Sequence, residues 1–215
     1  VLLSMSTPAT SHVSPSFIPI FGEAIELLRK IFLTAKGQPF VVSGSGTLGW
    51  DMVSSNLIEP NEDVLVLNTV TQVKAEIGDR PTLEEIHNAL VSKRFKAITI
   101  THVDTSTGVL SDVKAIADLV KQYSPETLVI VDGVCSVGSE EIRVDEWGID
   151  VVLTASQKAL GVPPGLCILI ASERAMVPKN REVSANGMTA VYYPEGIKAT
   201  DLLPRVAECG VVIAG

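Results

Sequence analysis

Thr127-Leu128-Val129-Ile130-Val131-Asp132 and Val151-Val152-Leu153-Thr154-Ala155-Ser156-Gln157-Lys158 are the two stretches on which the fold turns. Each starts as an unbroken apolar run too short for a helix and ends in polar residues. A strand that is apolar on both sides is buried on both faces, as in a parallel sheet covered by helices. Outward from these stretches the chain keeps the same alternation. Pro39–Ser43, Val64–Leu67, Ala97–Thr101 and Cys167–Ala171 read as strands, and Leu48–Leu57, Thr82–Lys93 and Asp112–Tyr123 as helices. Before them Ile20, Phe21, Ile25, Leu27, Leu28, Ile31 and Phe32 recur at helical spacing, which predicts an amphipathic helix over Pro19–Leu33. Strands alternating with helices imply an α/β fold with a mainly parallel sheet and helices on both faces, its chemistry at the carboxyl ends of the strands. Near the end, Thr189–Tyr193, Ala199–Glu208 and Val211–Ile213 read as strand, helix and strand of a smaller α/β domain. The expected division is an arm over 1–18, a large domain over 19–176 and a fragment of the small domain over 177–215.

Bulk properties narrow the function. With 46% hydrophobic and 20% charged residues in 215, the chain can bury a sizeable core. A net charge of -8 and no basic run argue against nucleic acid or an anionic membrane as main partner, because both require clustered Lys and Arg. The longest apolar runs are far below the roughly 20 residues that span a bilayer, and no basic-then-apolar leader opens the chain. Cys135, Cys167 and Cys209 lack metal-ligand spacing and sit in apolar runs, as buried reduced thiols do. The expectation is a soluble intracellular protein, with cytosol, mitochondrion and peroxisome all compatible.

Three features carry chemistry. Asp132 closes a wholly apolar strand, where a carboxylate is costly unless a cation or hydrogen-bond donor meets it. Lys158 follows the next strand and reaches the same sheet edge. A lysine amine and an acid at one edge suit a pyridoxal ring, which bonds the amine through its aldehyde and needs an acid at its ring nitrogen. Gly44-Ser45-Gly46-Thr47 then opens a helix, and free N–H groups at a helix start can seat a phosphate. This turn is neither a P-loop, since no Gly-Lys-Ser/Thr follows, nor a three-glycine dinucleotide motif. His102 reads as a hydrogen-bonded loop residue, the hydroxyls of Thr105 and Ser106 as candidates for touching a ligand, and Trp50 and Trp147 as packing.

Ser43-Gly44-Ser45-Gly46-Thr47-Leu48-Gly49-Trp50-Asp51, His102 to Gly108, Val131 to Gly138 and Ser156-Gln157-Lys158 stand in the order seen in class V aminotransferases. The chain resembles the alanine-glyoxylate (serine-pyruvate) branch of that family. Ser11-His12-Val13-Ser14-Pro15 and Ala159 to Gly165 are most similar to its fungal members. The resemblance implies the fold-type I architecture, pyridoxal 5'-phosphate as cofactor, small amino acid and keto acid substrates, and a homodimer with active sites at the subunit interface. Lys158 would form the internal aldimine, Asp132 would pair with the ring nitrogen, and Val134 would pack under the ring. Thr105 would lie near the ring hydroxyl, while Ser45, Gly46, Thr47 and Gln157 would hold the phosphate.

The reaction implied is transfer of an amino group from alanine, or serine, to glyoxylate. A desulfurase or lyase of the same class is the alternative enzyme, although Cys209 is poorly placed for a mobile catalytic thiol. A homologue that only binds is the non-enzymatic alternative. The resemblance implies further family segments after Leu3, after Thr69, between Met176 and Val177 and beyond Gly215, the last with the substrate-carboxylate arginine, that the 215 residues do not contain. The expectation is that the 215 residues are ordered parts of a longer chain, joined at Thr69/Val70 and Met176/Val177.

Overall fold

The computed structural model describes residues 6–67 and 78–176. The small-domain reading, Cys209, and the junctions at Thr69/Val70 and Met176/Val177 rest on residues outside these. In chain order the elements are α1 (Phe17–Ile31), β1 (Gln38–Ser43), α2 (Gly46–Leu57), β2 (Val64–Leu67), α3 (Leu83–Ser92) and β3 (Ala97–Thr101). They continue with α4 (Val113–Tyr123), β4 (Leu128–Asp132), α5 (Val144–Trp147), β5 (Val151–Ala155), β6 (Leu166–Ala171) and α6 (Glu173–Met176).

The strands form one sheet in the order β1-β6-β5-β4-β3-β2. β2, β3, β4 and β5 are mutually parallel, each pair joined by a helical crossover. β6 departs from the parallel expectation and runs antiparallel to both β5 and β1. The physical reason is the connection: no helix lies between Ala155 and Leu166, and a strand can return parallel only through a long crossover. The sheet is therefore mixed, with a parallel centre.

Alternation along the strands sorts the core into two layers. Ile98, Ile100, Val129, Val131, Val152, Ile168 and Ile170 pack on one face with Ile86 and Leu90 of α3 and with Ile116 and Val120 of α4. Leu128, Ile130, Val151, Leu153, Cys167 and Leu169 pack on the other with Val53 of α2. The caps that start two of these helices are local in sequence. Thr82 and Glu85 form a reciprocal capping box, and Asp112 accepts from Ala115 N–H.

α1 differs from the simple expectation of a core-facing stripe. Leu28 and Phe32 are buried, yet Ile18, Ile20, Phe21, Leu27 and Ile31 are exposed, Ile20 by 64%. Among the described residues nothing covers this face.

Candidate active site

β4 and β5 deliver their last residues to one edge of the sheet, and α2 brings its first turn to the same place. Between them lies an open cleft of ≈ 340 Å³ lined by Ser45, Gly46, Thr47, Trp50, Thr101, Val103, Thr105, Asp132, Val134, Cys135, Ala155 and Gln157. The structure thus gathers Ser45, Gly46, Thr47, Thr105, Asp132, Val134 and Gln157 on one wall system. Lys158 is not part of that wall. It is exposed and stands one residue beyond Gln157.

The start of α2 is shaped to receive an anion. Ser45 is extended at the cap position but makes no side-chain cap bond, and the first turn holds no acidic residue, so the positive helix end is left for an outside partner. Gly46 allows the helix to come this close to the sheet. A Cβ there would stand 3.0 Å from Val134 Cγ2 and 3.4 Å from the Ala155 Cβ. Replacing Gly46 by Ala should push the first turn of α2 away from Val134 and weaken phosphate-ester binding by about tenfold, the cost of roughly one hydrogen bond. Titration with pyridoxal 5'-phosphate measures this, and unchanged affinity would remove Gly46 from the seat.

Asp132 is half-buried, with both carboxylate oxygens engaged. Oδ1 accepts from the Val134 backbone N–H at 2.9 Å, and Oδ2 accepts from the Trp50 Nε1–H at 3.1 Å. Trp50 is thus more than packing. The reading of isolated residues missed it, although the signal was present: four residues separate it from Gly46, which is one helical turn and so the same face of α2.

The loop after β3 is held by its own polar groups. Asp104 Oδ1 accepts the N–H groups of Ser106 and Thr107 at 2.7 and 3.1 Å. Hydrogen bonding from the Ser106 hydroxyl, chiefly, keeps the Asp104 carboxyl below its ordinary range. Ser106 is thereby committed to the loop, whereas Thr105 faces the cleft and bonds Cys135 Sγ at 3.0 Å. Cys135 corrects the buried-thiol expectation: it is half-buried and borders the cleft, because it sits in the turn after β4 and not within a strand. Cys167, inside β6, is fully buried as expected, and burial pushes its thiol up. His102 is a buried loop histidine sharing a 2.9 Å hydrogen bond with Ser136 Oγ, and burial lowers its pKa.

The segment carrying Lys158 is closed on itself. Ser156 N–H donates to Leu166 O at 3.1 Å and the Ser156 hydroxyl to Pro163 O at 2.6 Å, while Gly161 N–H returns to Lys158 O at 2.9 Å. Gly44 N–H donates to Gly165 O at 2.8 Å, tying the far end of this loop to the glycine turn. Gly138, at φ +95°, leaves room for Ala159, whose carbonyl carbon would lie 3.3 Å from an added Cβ. No group of three or more His, Cys, Asp or Glu among the described residues could hold a metal ion.

The model for aminotransferase class-V matches residues 40–210. The chain belongs to this family. Alanine–glyoxylate aminotransferase 1 of Saccharomyces cerevisiae is 46% identical to it over 197 residues, covering 80% of this chain and 51% of the yeast protein. Serine–glyoxylate aminotransferase of Arabidopsis thaliana is 33% identical over 196 residues, covering 82% and 49%. Among solved structures, alanine–glyoxylate aminotransferase from Nostoc sp. superposes with a TM-score of 0.74 at 29% identity, over 81% of this chain and 50% of that one. The chain therefore spans about half the length of the curated relatives it matches. Class-V aminotransferases are pyridoxal-phosphate enzymes, and the residues of this cleft fit that group: the bare start of α2 could seat a phosphate, and the Asp132 carboxylate could accept from a protonated ring nitrogen.

Proposed function

We propose that this class-V aminotransferase moves an amino group from alanine, with serine as a second donor, to glyoxylate. The observation that carries the reading is the cleft whose lining joins the start of α2 to Asp132. The printed names of the relatives, alanine–glyoxylate and serine–glyoxylate aminotransferase, support the choice of donor and acceptor. When bound, pyridoxal 5'-phosphate supplies a sink for the electron pair left on the donor α-carbon.

The chain's own residues do the rest in this proposal. Ser45, Gly46 and Thr47 hold the phosphate with N–H and hydroxyl donors, assisted by Gln157. Asp132 would accept a hydrogen bond from the ring N–H, Val134 would supply an apolar contact for the ring, and Thr105 would hydrogen-bond the ring hydroxyl. Lys158 would be the amine that holds the cofactor's aldehyde group, and the same amine would carry the proton to and from the donor α-carbon. Its flexible four-carbon stem lets an amine outside the wall swing inward.

A large domain over 19–176 and a small-domain fragment over 177–215 belong to the same proposal, as does a homodimer. The exposed apolar face of α1, with Ile18, Ile20, Phe21 and Leu27, supports a second copy as partner, since large apolar faces are rarely left in water. No helix among the described residues is long and apolar enough to cross a membrane.

The test is direct. Borohydride reduction after addition of pyridoxal 5'-phosphate should fix the cofactor on Lys158, located by peptide mass, and a donor and acceptor panel should show alanine with glyoxylate as the fastest pair. Label on another lysine, or no turnover with glyoxylate, would end the proposal.

A further inference from the structure

We propose that Trp50 is the positioning residue for Asp132, and that α2 thereby locks together the two anchor points of the cofactor. The inference rests on the reading of the cleft given above.

Asp132 ends β4, and its side-chain χ2 is an sp³–sp² torsion with a broad energy profile, so the chain by itself does not aim the carboxylate. Val134 N–H, two residues on, steadies one oxygen but belongs to the same turn and moves with it. Trp50 comes from a separate element 82 residues away. Its ring packs against the core layer that contains Val53, Ile130, Leu153 and Cys167, so the indole is held by the fold and not by the turn it restrains.

An indole N–H donates and never accepts. It therefore selects the acceptor state of the Asp132 Oδ2 atom and fixes the carboxylate plane toward the cleft that both residues line. The helix that provides this donor also provides Ser45 as its cap and Gly46 and Thr47 as its first residues. Gly46 and Trp50 lie one turn apart, about 6 Å along the axis. The phosphate seat and the restraint on the ring-nitrogen acceptor are thus parts of one rigid body, and Trp50 sets the register between them.

Two variants of the full-length protein separate donor from shape: Trp50→Phe, and 3-benzothienylalanine at position 50, which keeps the bicyclic outline but has sulfur in place of N–H. In the cofactor-free protein the ¹⁵N–¹H spectrum contains indole signals from Trp50 and Trp147. The Trp50 signal should shift in Asp132→Asn while the Trp147 signal stays. Both position-50 variants should bind pyridoxal 5'-phosphate roughly tenfold more weakly, as loss of a hydrogen bond to a charged group entails. With 1-deaza-pyridoxal phosphate, which lacks the ring nitrogen, the same variants should bind like the parent. Equal weakening with both ligands would show a merely structural role, and parental affinity of the benzothienyl variant for pyridoxal 5'-phosphate would show that the N–H does nothing; either overturns the inference while leaving the proposed function standing. Failure of the parent protein to bind pyridoxal 5'-phosphate would instead overturn the proposed function, and this inference with it.

Discussion

Lys158→Ala is expected to leave a folded protein whose turnover is lowered on the order of 10⁴-fold or more, because in the proposed mechanism covalent attachment and proton transfer fail together. The expectation of an intact fold follows from local geometry. The side chain is exposed, and the contact its residue makes within the loop is through the backbone: Lys158 O accepts from Gly161 N–H, which alanine preserves. Surface changes of this kind alter stability by about 0.5 kcal/mol or less. Thermal melts paired with steady-state rates decide the point. A variant that unfolds early would assign Lys158 a structural part, and one retaining more than about a hundredth of the parental rate would mean that another amine does the work. Partial recovery by added methylamine is expected, since a free amine can take over the proton.

Arg174→Ala should produce the largest loss of stability, about 3–5 kcal/mol, with little effect on cofactor affinity of the folded fraction. Asp150 precedes β5 and its side chain is 4% exposed. Its Oδ2 accepts from Val129 N–H at 2.8 Å, and its Oδ1 accepts from Ser172 Oγ at 3.0 Å and Arg174 Nε at 2.8 Å. A second guanidinium nitrogen of Arg174 reaches Oδ2, and the same group donates to the carbonyls of Pro125 and Thr127. Removing the arginine leaves a carboxylate buried without its cation, which is the costly way to break such a pair. The side chain of Arg174 is itself 47% exposed, and the water this admits places the effect toward the lower end of the range. The pair sits where β4 and β5 begin and β6 ends, at the sheet edge opposite the cleft. A denaturant midpoint shift with unchanged pyridoxal-phosphate affinity is therefore expected. Asp150→Asn should cost less, because the amide oxygen can still accept from Val129. A loss of stability below about 1 kcal/mol in Arg174→Ala would show that water already substitutes for the guanidinium.

The two halves of that prediction were not equally visible. Asp150 directly precedes Val151 in the stretch that decided the fold, yet nothing in the order of residues says that Arg174 will fold back onto it. The return depends on β6 running antiparallel beside β5, and that depends on a connection without a helix. Strand bounds such as Val64–Leu67 and Ala97–Thr101 were readable to the residue, because short apolar runs flanked by polar turns have few other ways to bury themselves. The ends of helices were readable where a cap announces them, as at Thr82 and Asp112. At α1 the periodic apolar stripe was legible but its destination was not. Helical spacing shows which residues share a face, not what that face meets.

What the sequence determined alone is the six strands, the four longer helices and the edge at which Asp132, Lys158 and the glycine turn emerge, since hydrophobic period is a local property of the chain; the four-residue helices α5 and α6 are too short to show a period and were not read from it. Only the tertiary structure decided that Trp50 meets Asp132, that Cys135 opens to the cleft while Ser106 turns away, and that Lys158 stands just outside the wall. Those facts depend on side-chain directions and on contacts between segments 30 to 82 residues apart. Such contacts come from how layers pack: helical spacing puts Trp50 on the face of Gly46, but no local pattern says that this face meets Asp132.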